Sequence, residues 1–112
     1  MSVKVKVNTY MDVAVAELRE KALDASNSES FKKAMANTLE NFQKVIIDLS
    51  RVEFIDSSGC GALLSCVRQL ADRGGELRIC GVQKNVQRLF ELVRMNRVVD
   101  IYSNKEEAVK SF

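Results

Sequence analysis

The chain has 112 residues, of which 46% are hydrophobic and 29% charged, a composition typical of one globular domain that buries a core without a metal or a disulfide. Its net charge of +2 is too small to indicate nucleic-acid binding, so we expect no direct contact with nucleic acid. The chain contains no histidine, which excludes histidine metal ligands and any catalytic arrangement that uses histidine as the base.

The three cysteines, Cys60, Cys66 and Cys80, indicate a reducing environment. They are odd in number and lack C-x-x-C spacing, which argues against a disulfide framework and against a zinc site. We interpret them as small core residues of a cytoplasmic protein. No run approaches the roughly 20 apolar residues of a membrane span, and the N-terminus lacks the apolar block of a signal peptide. We therefore expect neither secretion nor membrane insertion.

Two strands are predicted at the start of the chain. Val3, Val5 and Val7 alternate with polar residues, which is the period of a strand with one solvated face. Residues 8–12 are predicted to form the turn. Val13–Leu18 is the predicted antiparallel partner, although small apolar residues fall on both of its faces.

The next predicted element is a helix capped by Ser26. Ser26 and Glu29 have the S-x-x-E spacing of a capping box, in which the serine accepts a backbone hydrogen bond and the glutamate returns one. The predicted buried stripe of this helix consists of Phe31, Ala34, Met35, Thr38, Leu39 and Phe42.

A polar turn of small residues, 56–61, joins a predicted strand to the following helix. The β-branched run 45–49 is typical of a strand covered on both faces. Apolar residues then recur at helical spacing as far as about Asp72, so residues 56–58 are predicted to cap this helix. Gly74 and Gly75 supply its stop.

Strands and helices alternate over the rest of the chain. Glu76–Cys80 is predicted as a strand, a helix carries the apolar residues between Val86 and Val93, and a short strand and a last helical segment follow. Strands that alternate with helices imply crossovers and a parallel portion, whereas the opening hairpin is antiparallel. The predicted fold class is therefore α/β with a mixed β-sheet.

Four sequence blocks, in order, resemble the STAS domain of the bacterial anti-sigma factor antagonists. They are Leu23-Asp24-Ala25-Ser26-Asn27, Val45-Ile46-Ile47-Asp48-Leu49-Ser50, Phe54-Ile55-Asp56-Ser57-Ser58-Gly59-Cys60-Gly61 and Gly74-Gly75-Glu76-Leu77. The resemblance implies a single STAS domain over residues 1–112, with helices packed largely on one side of the sheet. It also implies that Ser57 is phosphorylated by a serine kinase that doubles as the anti-sigma factor, and that a PP2C-type phosphatase resets it.

Two positions depart from the family pattern. The family has a glycine two residues before its L-D motif, where this chain has Lys21, and its L-T-G-L pattern reads Leu92-Val93-Arg94-Met95 here. The first departure bears on a local turn, and the second adds a cation near the last strand. Neither lies in the turn that carries Ser57.

Ser57 is suited to act as a switch on physical grounds as well. A phosphoryl group would add a charge of roughly −1.5 to −2 at a helix N-terminus, where the helix dipole favours an anion, so the fold should survive. A partner surface beside Asp56 would then meet two anions instead of one. Gly59 and Gly61 leave the first helical turn bare, which would let a kinase approach the backbone.

A purely structural reading of the same residues is available. Asp, Ser and Ser before a helix are common cap residues; Ser58 is the more structural member of the pair, and Asp56 is a cap, a recognition element or both. Asp24 and Ser26 lie in the segment that, in the family, contacts the partner near the acceptor, while the alternative is that Ser26 caps a helix. We interpret Asp24, Ser26, Asp56, Ser58 and Gly59 as the partner-binding set.

The predicted function is therefore a signalling module without catalytic activity, cofactor or metal. Unphosphorylated, it binds an anti-sigma serine kinase and frees a sigma factor; phosphorylated on Ser57, it is released. The alternative is a STAS subunit of a lipid-transport or stress-sensor complex that docks without a phosphorylation cycle. An enzyme is disfavoured because the chain has neither histidine nor a G-x-x-x-x-G-K phosphate loop.

Overall fold

The computed structural model describes residues 2–112 and contains seven strands, four α-helices and one short 3₁₀ helix over that range. The strands are β1 (Val5–Tyr10), β2 (Val13–Leu18), β3 (Ala22–Leu23), β4 (Lys44–Asp48), β5 (Phe54–Ile55), β6 (Glu76–Cys80) and β7 (Asp100–Tyr102). The helices are α1 (Ser28–Asn41), α2 (Ser57–Asp72), α3 (Lys84–Leu92) and α4 (Lys105–Lys110), with the 3₁₀ helix at Met95–Arg97.

The main sheet is mixed, as predicted. Its strand order is β1-β2-β4-β6-β7, in which β1 and β2 are antiparallel and all other neighbours are parallel. The predicted turn at residues 8–12 is wrong in extent, because β1 continues to Tyr10, which pairs with Val13. β1 lies at the edge of the sheet, so Asn8 and Thr9 remain in the strand with their side chains exposed to solvent.

Two apolar layers cover the sheet, which explains why β2 has small apolar residues on both faces. Ala14 and Ala16 of β2 belong to the large core that includes residues of α1, α2 and α3. Val13 and Val15, on the other face, pack in a smaller cluster with Ala108 of α4. Three helices therefore cover one face and one short helix covers the other, which confirms the expectation of helices largely on one side.

The predicted stripe of α1 is correct except at one residue. Phe31, Met35, Thr38 and Leu39 are buried and Phe42 is partly buried, but Ala34 is exposed. The buried face of α1 is narrower than predicted because the i, i+4 spacing from Phe31 to Met35 to Leu39 already fills it.

The C-terminal end of α2 has the predicted glycine stop. Gly74 adopts φ +78°, and the N–H of Gly75 donates to the Leu70 carbonyl at 2.9 Å, which closes the last turn. The glycine that the family has before the L-D motif is not required at Lys21, whose φ is not positive, whereas Arg94 has φ 60°. Arg94 therefore adopts a left-handed conformation, which favours glycine, at the position where the L-T-G-L pattern that the sequence resembles has glycine.

A second, two-stranded sheet leads into the predicted acceptor turn. β3 and β5 are parallel, with Ala22 opposite Phe54 and Leu23 opposite Ile55. Leu23 and Ile55 are buried in the large core, so this small sheet fixes the start of α2 against the segment that follows β3.

Candidate functional site

Asp56 is the residue that caps α2. It has an extended backbone (φ −105°, ψ −172°) directly after β5, and its Oδ1 accepts a hydrogen bond from the Gly59 N–H at 2.9 Å. The carboxylate satisfies one of the N–H groups that the first helical turn leaves free. The cap predicted within residues 56–58 is therefore confirmed at Asp56.

Ser57 and Ser58 are the first two residues of α2, and both are exposed. Neither hydroxyl has a hydrogen-bond partner among residues 2–112. The structural role predicted for Ser58, through capping, is wrong, because Asp56 one residue before the helix already fills that position. Two free hydroxyls thus face solvent at the positive end of the helix dipole.

Asp24 and Ser26 form a compact turn of their own. The Ser26 hydroxyl donates to Asp24 Oδ1 at 2.6 Å, and the Ser26 N–H donates to the same oxygen at 2.9 Å. Asn27 completes the turn: its Oδ1 accepts from the Asp24 N–H, and its Nδ2 donates to the Ala22 carbonyl, both at 2.9 Å.

The predicted capping box at Ser26 is wrong. α1 begins at Ser28, and the residue before it, Asn27, makes no side-chain cap hydrogen bond. Glu29 pairs with Lys32 at 2.9 Å instead of returning to Ser26. The Ser26 hydroxyl donates its hydrogen bond to Asp24 instead, because an aspartate two residues before a serine offers a charged acceptor.

Asp56 also joins the two segments. Its Oδ2 accepts the N–H of Ala25 at 3.1 Å, across 31 residues of sequence. One half-buried carboxylate therefore holds the Asp24–Ser26 turn against the start of α2. The structure thus brings Asp24, Ser26, Asp56, Ser57 and Ser58 to one place, and contact of these residues with a partner stays a prediction.

Gly59 has a structural role that the sequence did not reveal. A Cβ atom here would overlap the Leu23 carbonyl oxygen and lie 2.7 Å from Ile55 Cγ2. Gly59 is buried, so the prediction that it leaves the helix surface bare is wrong, and its place in the partner-binding set stays untested. Gly61 is exposed, with nothing within 4 Å of the Cβ position, and it alone leaves that turn open.

The cysteines are buried and free, as predicted. Burial raises the pKa of Cys66 to about 11 and, together with the nearby Asp48 carboxylate, that of Cys80 to about 12. Burial and then the Asp56 charge raise the pKa of Cys60, the cysteine nearest the acceptor turn. These thiols stay protonated at neutral pH, and a neutral thiol is a poor nucleophile.

The described part of the chain contains no cluster of three or more histidine, cysteine, aspartate or glutamate side chains able to hold a metal ion. Nor does any helix within residues 2–112 have the length and apolar character needed to span a membrane.

Comparison with known proteins shows consistent similarity. A family profile described as "STAS domain" matches residues 4–108. The anti-sigma F factor antagonist of Paenibacillus polymyxa is 25% identical over 111 residues, which cover 97% of this chain and 94% of that protein.

Two solved structures share the fold. An anti-sigma factor antagonist from Mycobacterium paratuberculosis aligns with a TM-score of 0.87 and 20% identity, over 98% of this chain and 93% of that one. The phosphorylated form of the Bacillus cell fate determinant SpoIIAA aligns with a TM-score of 0.71 and 19% identity, over 96% and 98%.

Proposed function

The chain belongs to the STAS domain family, and from that membership we propose that it is an anti-sigma factor antagonist controlled by phosphorylation of Ser57. Unphosphorylated, it binds an anti-sigma factor that is also a serine kinase, and the sigma factor is freed. Phosphorylated, it is released. The protein itself catalyses nothing in this cycle, which we place in the cytoplasm.

The exposed hydroxyl of Ser57 is the observation that carries the proposal. It lies at the first position of α2, immediately after the capping Asp56, and it has no partner within residues 2–112. In the proposed reaction the Ser57 oxygen takes the γ-phosphoryl group of ATP, its proton passes to a base on the kinase, and ADP leaves. A PP2C-type phosphatase later hydrolyses the phosphate ester to restore the hydroxyl.

The position of Ser57 explains how phosphorylation would alter binding without unfolding the protein. The N-terminus of α2 favours an anion, and a solved protein of the same fold exists in a phosphorylated form. The added charge of roughly −1.5 to −2 would lie next to the Asp56 carboxylate. A partner surface that fits one carboxylate and a neutral hydroxyl would meet two adjacent anions, and such like-charge contact costs several kcal/mol.

The Asp24–Ser26 turn supports a partner surface wider than one residue. Asp56 ties this turn to the acceptor helix, so both segments present a single rigid surface. Ser26 and Ser58 are exposed on it, and Asp24 is half-buried. A kinase that reaches Ser57 would contact this turn as well.

The test is phosphorylation of three purified proteins by each anti-sigma serine kinase of the source organism, with Mg²⁺ and ATP, read by intact mass. The wild type and Ser58→Ala are expected to gain one phosphoryl group, and Ser57→Ala none. Ser58→Ala is the matched control, since both serines are exposed in the same helical turn. Continued phosphorylation of Ser57→Ala would refute the assignment.

Affinity capture distinguishes this proposal from a docking subunit of another complex. The wild type, used as bait, should retain an ATP-binding kinase, and the phosphorylated protein should not. Retention of a transporter subunit, equally by both forms, would favour the alternative.

A further inference from the structure

The small sheet of β3 and β5 has an outward face on which a phenylalanine is exposed. Side chains alternate between the two faces of a strand, and Leu23 and Ile55 point into the core. Their neighbours Ala22 and Phe54, which lie opposite each other, therefore point outward. Phe54 is 54% exposed, and it is the only phenylalanine within residues 2–112 that is more than half exposed.

The chain leads from this outward face directly into the acceptor turn. Asp24 and Asp56 follow Ala22 and Phe54 by two residues each, and Ser57 comes next. Ser57 lies three positions after Phe54, so their Cα atoms are at most about 11 Å apart. A protein interface covers about 800 Å² on each partner, which corresponds to a disc of about 16 Å radius. Phe54 therefore lies within the reach of a protein partner centred on Ser57.

The two carboxylates of this face already accept hydrogen bonds within the chain. Asp24 accepts two hydrogen bonds from Ser26, and Asp56 accepts one from Ala25 and one from Gly59. The exposed Phe54 ring has no such partner in water, and it gains free energy when an interface removes it from water. Buried aromatic side chains near the centre of an interface are typical binding hot spots.

We propose that Phe54 is the apolar anchor with which the unphosphorylated protein docks on its anti-sigma kinase. The kinase would carry an apolar pocket for the ring beside the site that receives Ser57. This inference rests on the proposed function and deepens it, because it separates affinity, supplied by Phe54, from the switch, supplied by Ser57.

Val98 provides a matched control. It is 55% exposed and lines a groove with Ala71 and Gly75 at the C-terminal end of α2. Ala71 is fourteen residues along α2 from Ser57, which corresponds to about 21 Å at 1.5 Å per residue. Val98 therefore has the same exposure as Phe54 but lies outside the expected contact.

The experiment measures the affinity of the unphosphorylated wild type, Phe54→Ala, Phe54→Leu and Val98→Ala for the purified anti-sigma kinase of the source organism with ADP. Phe54→Ala is expected to weaken binding about tenfold or more, and Val98→Ala by less than about twofold. Phe54→Leu, which keeps an apolar side chain, should retain most of the affinity. Urea unfolding of Phe54→Ala, which should match that of the wild type because the ring is more than half exposed, shows that its loss of binding is not loss of folding.

The outcomes separate this inference from the proposed function. If the wild type binds the kinase and Phe54→Ala binds equally well, Phe54 is not the anchor, although the proposed function stands. If the wild type does not bind, the proposed function fails and the inference fails with it. Sedimentation velocity tests whether a second copy of the chain binds this face instead. If the wild type is a dimer, Phe54→Ala is a monomer and the kinase affinity is unchanged, the face binds a second copy and the proposal is overturned.

Discussion

The two ends of α2 both depend on glycine, for opposite reasons. At the C-terminal end, Gly74 has φ +78° and open space around its Cβ position, so glycine is favoured by its backbone conformation. At the N-terminal end, Gly59 lies inside the helix, but the Leu23 carbonyl occupies the space of a Cβ atom. Glycine is required there by the contact between two chain segments.

The C-terminal end of α2 is specified by neighbouring residues in the sequence, whereas its N-terminal end is specified by tertiary contacts. α2 ends just before Gly74 because of local interactions only: the left-handed glycine and the hydrogen bonds within the last helical turn. The start of α2 is instead fixed by β3 and by the Ala25 N–H, which are about thirty residues away in sequence. The proposed acceptor serine thus lies at the end of α2 that the tertiary structure holds in place.

Gly59→Ala should have the largest effect on the free energy of unfolding. A methyl group at this position must displace the Leu23 backbone or the helix. We expect the steric overlap to lower the free energy of unfolding by about 3 kcal/mol, and the better helix propensity of alanine to offset part of that loss. Urea unfolding measures it. Gly61→Ala is the matched control, since it lies in the same turn with open space and should be neutral or stabilising by up to about 1 kcal/mol. Equal stability of the two variants would contradict the proposed crowding.

Asp56→Ala should rank second. It removes the helix cap and the hydrogen bond from Ala25 together, and we expect a loss of about 2 kcal/mol. Amide exchange should show faster exchange at Ala25 and Gly59, the two N–H groups that lose their acceptor. Ser58→Ala should change stability by less than about 0.5 kcal/mol, because its hydroxyl has no partner in residues 2–112. Unchanged exchange at Ala25 would mean that Asp56 does not join the segments.

Gly74→Ala should have the smallest of the three effects. An alanine in the left-handed region costs about 1 kcal/mol, with no steric clash to add to it. Gly74→Asn should recover part of that loss, because asparagine tolerates this conformation. Thermal unfolding of Gly74→Ala and Gly74→Asn measures which variant is the more stable. A loss at Gly74 as large as that at Gly59 would remove the distinction between the two ends.

The regular elements could be predicted well from the sequence because their signals are local. The alternation of Glu76–Cys80, the helical spacing after Ser57 and the glycine stop each lie within a few residues, and the structure confirms all three. The two wrong cap predictions have the same cause. Residue type alone predicts caps at Ser26 and Ser58, but Asp24 accepts the hydrogen bonds of Ser26, and Asp56 occupies the cap position of α2.

The periodicity of apolar residues and the order of the motifs along the chain were enough to predict the mixed α/β class, the family resemblance and the serine turn before α2. Which residue caps α2, why position 59 is glycine, and how Asp24 and Ser26 come to lie beside the start of α2 could be read only from the folded structure. The contacts of Leu23 and Ala25 with the start of α2 accompany the pairing of β3 with β5, strands of only two residues each. Strands that short leave no periodic pattern from which their pairing could be predicted.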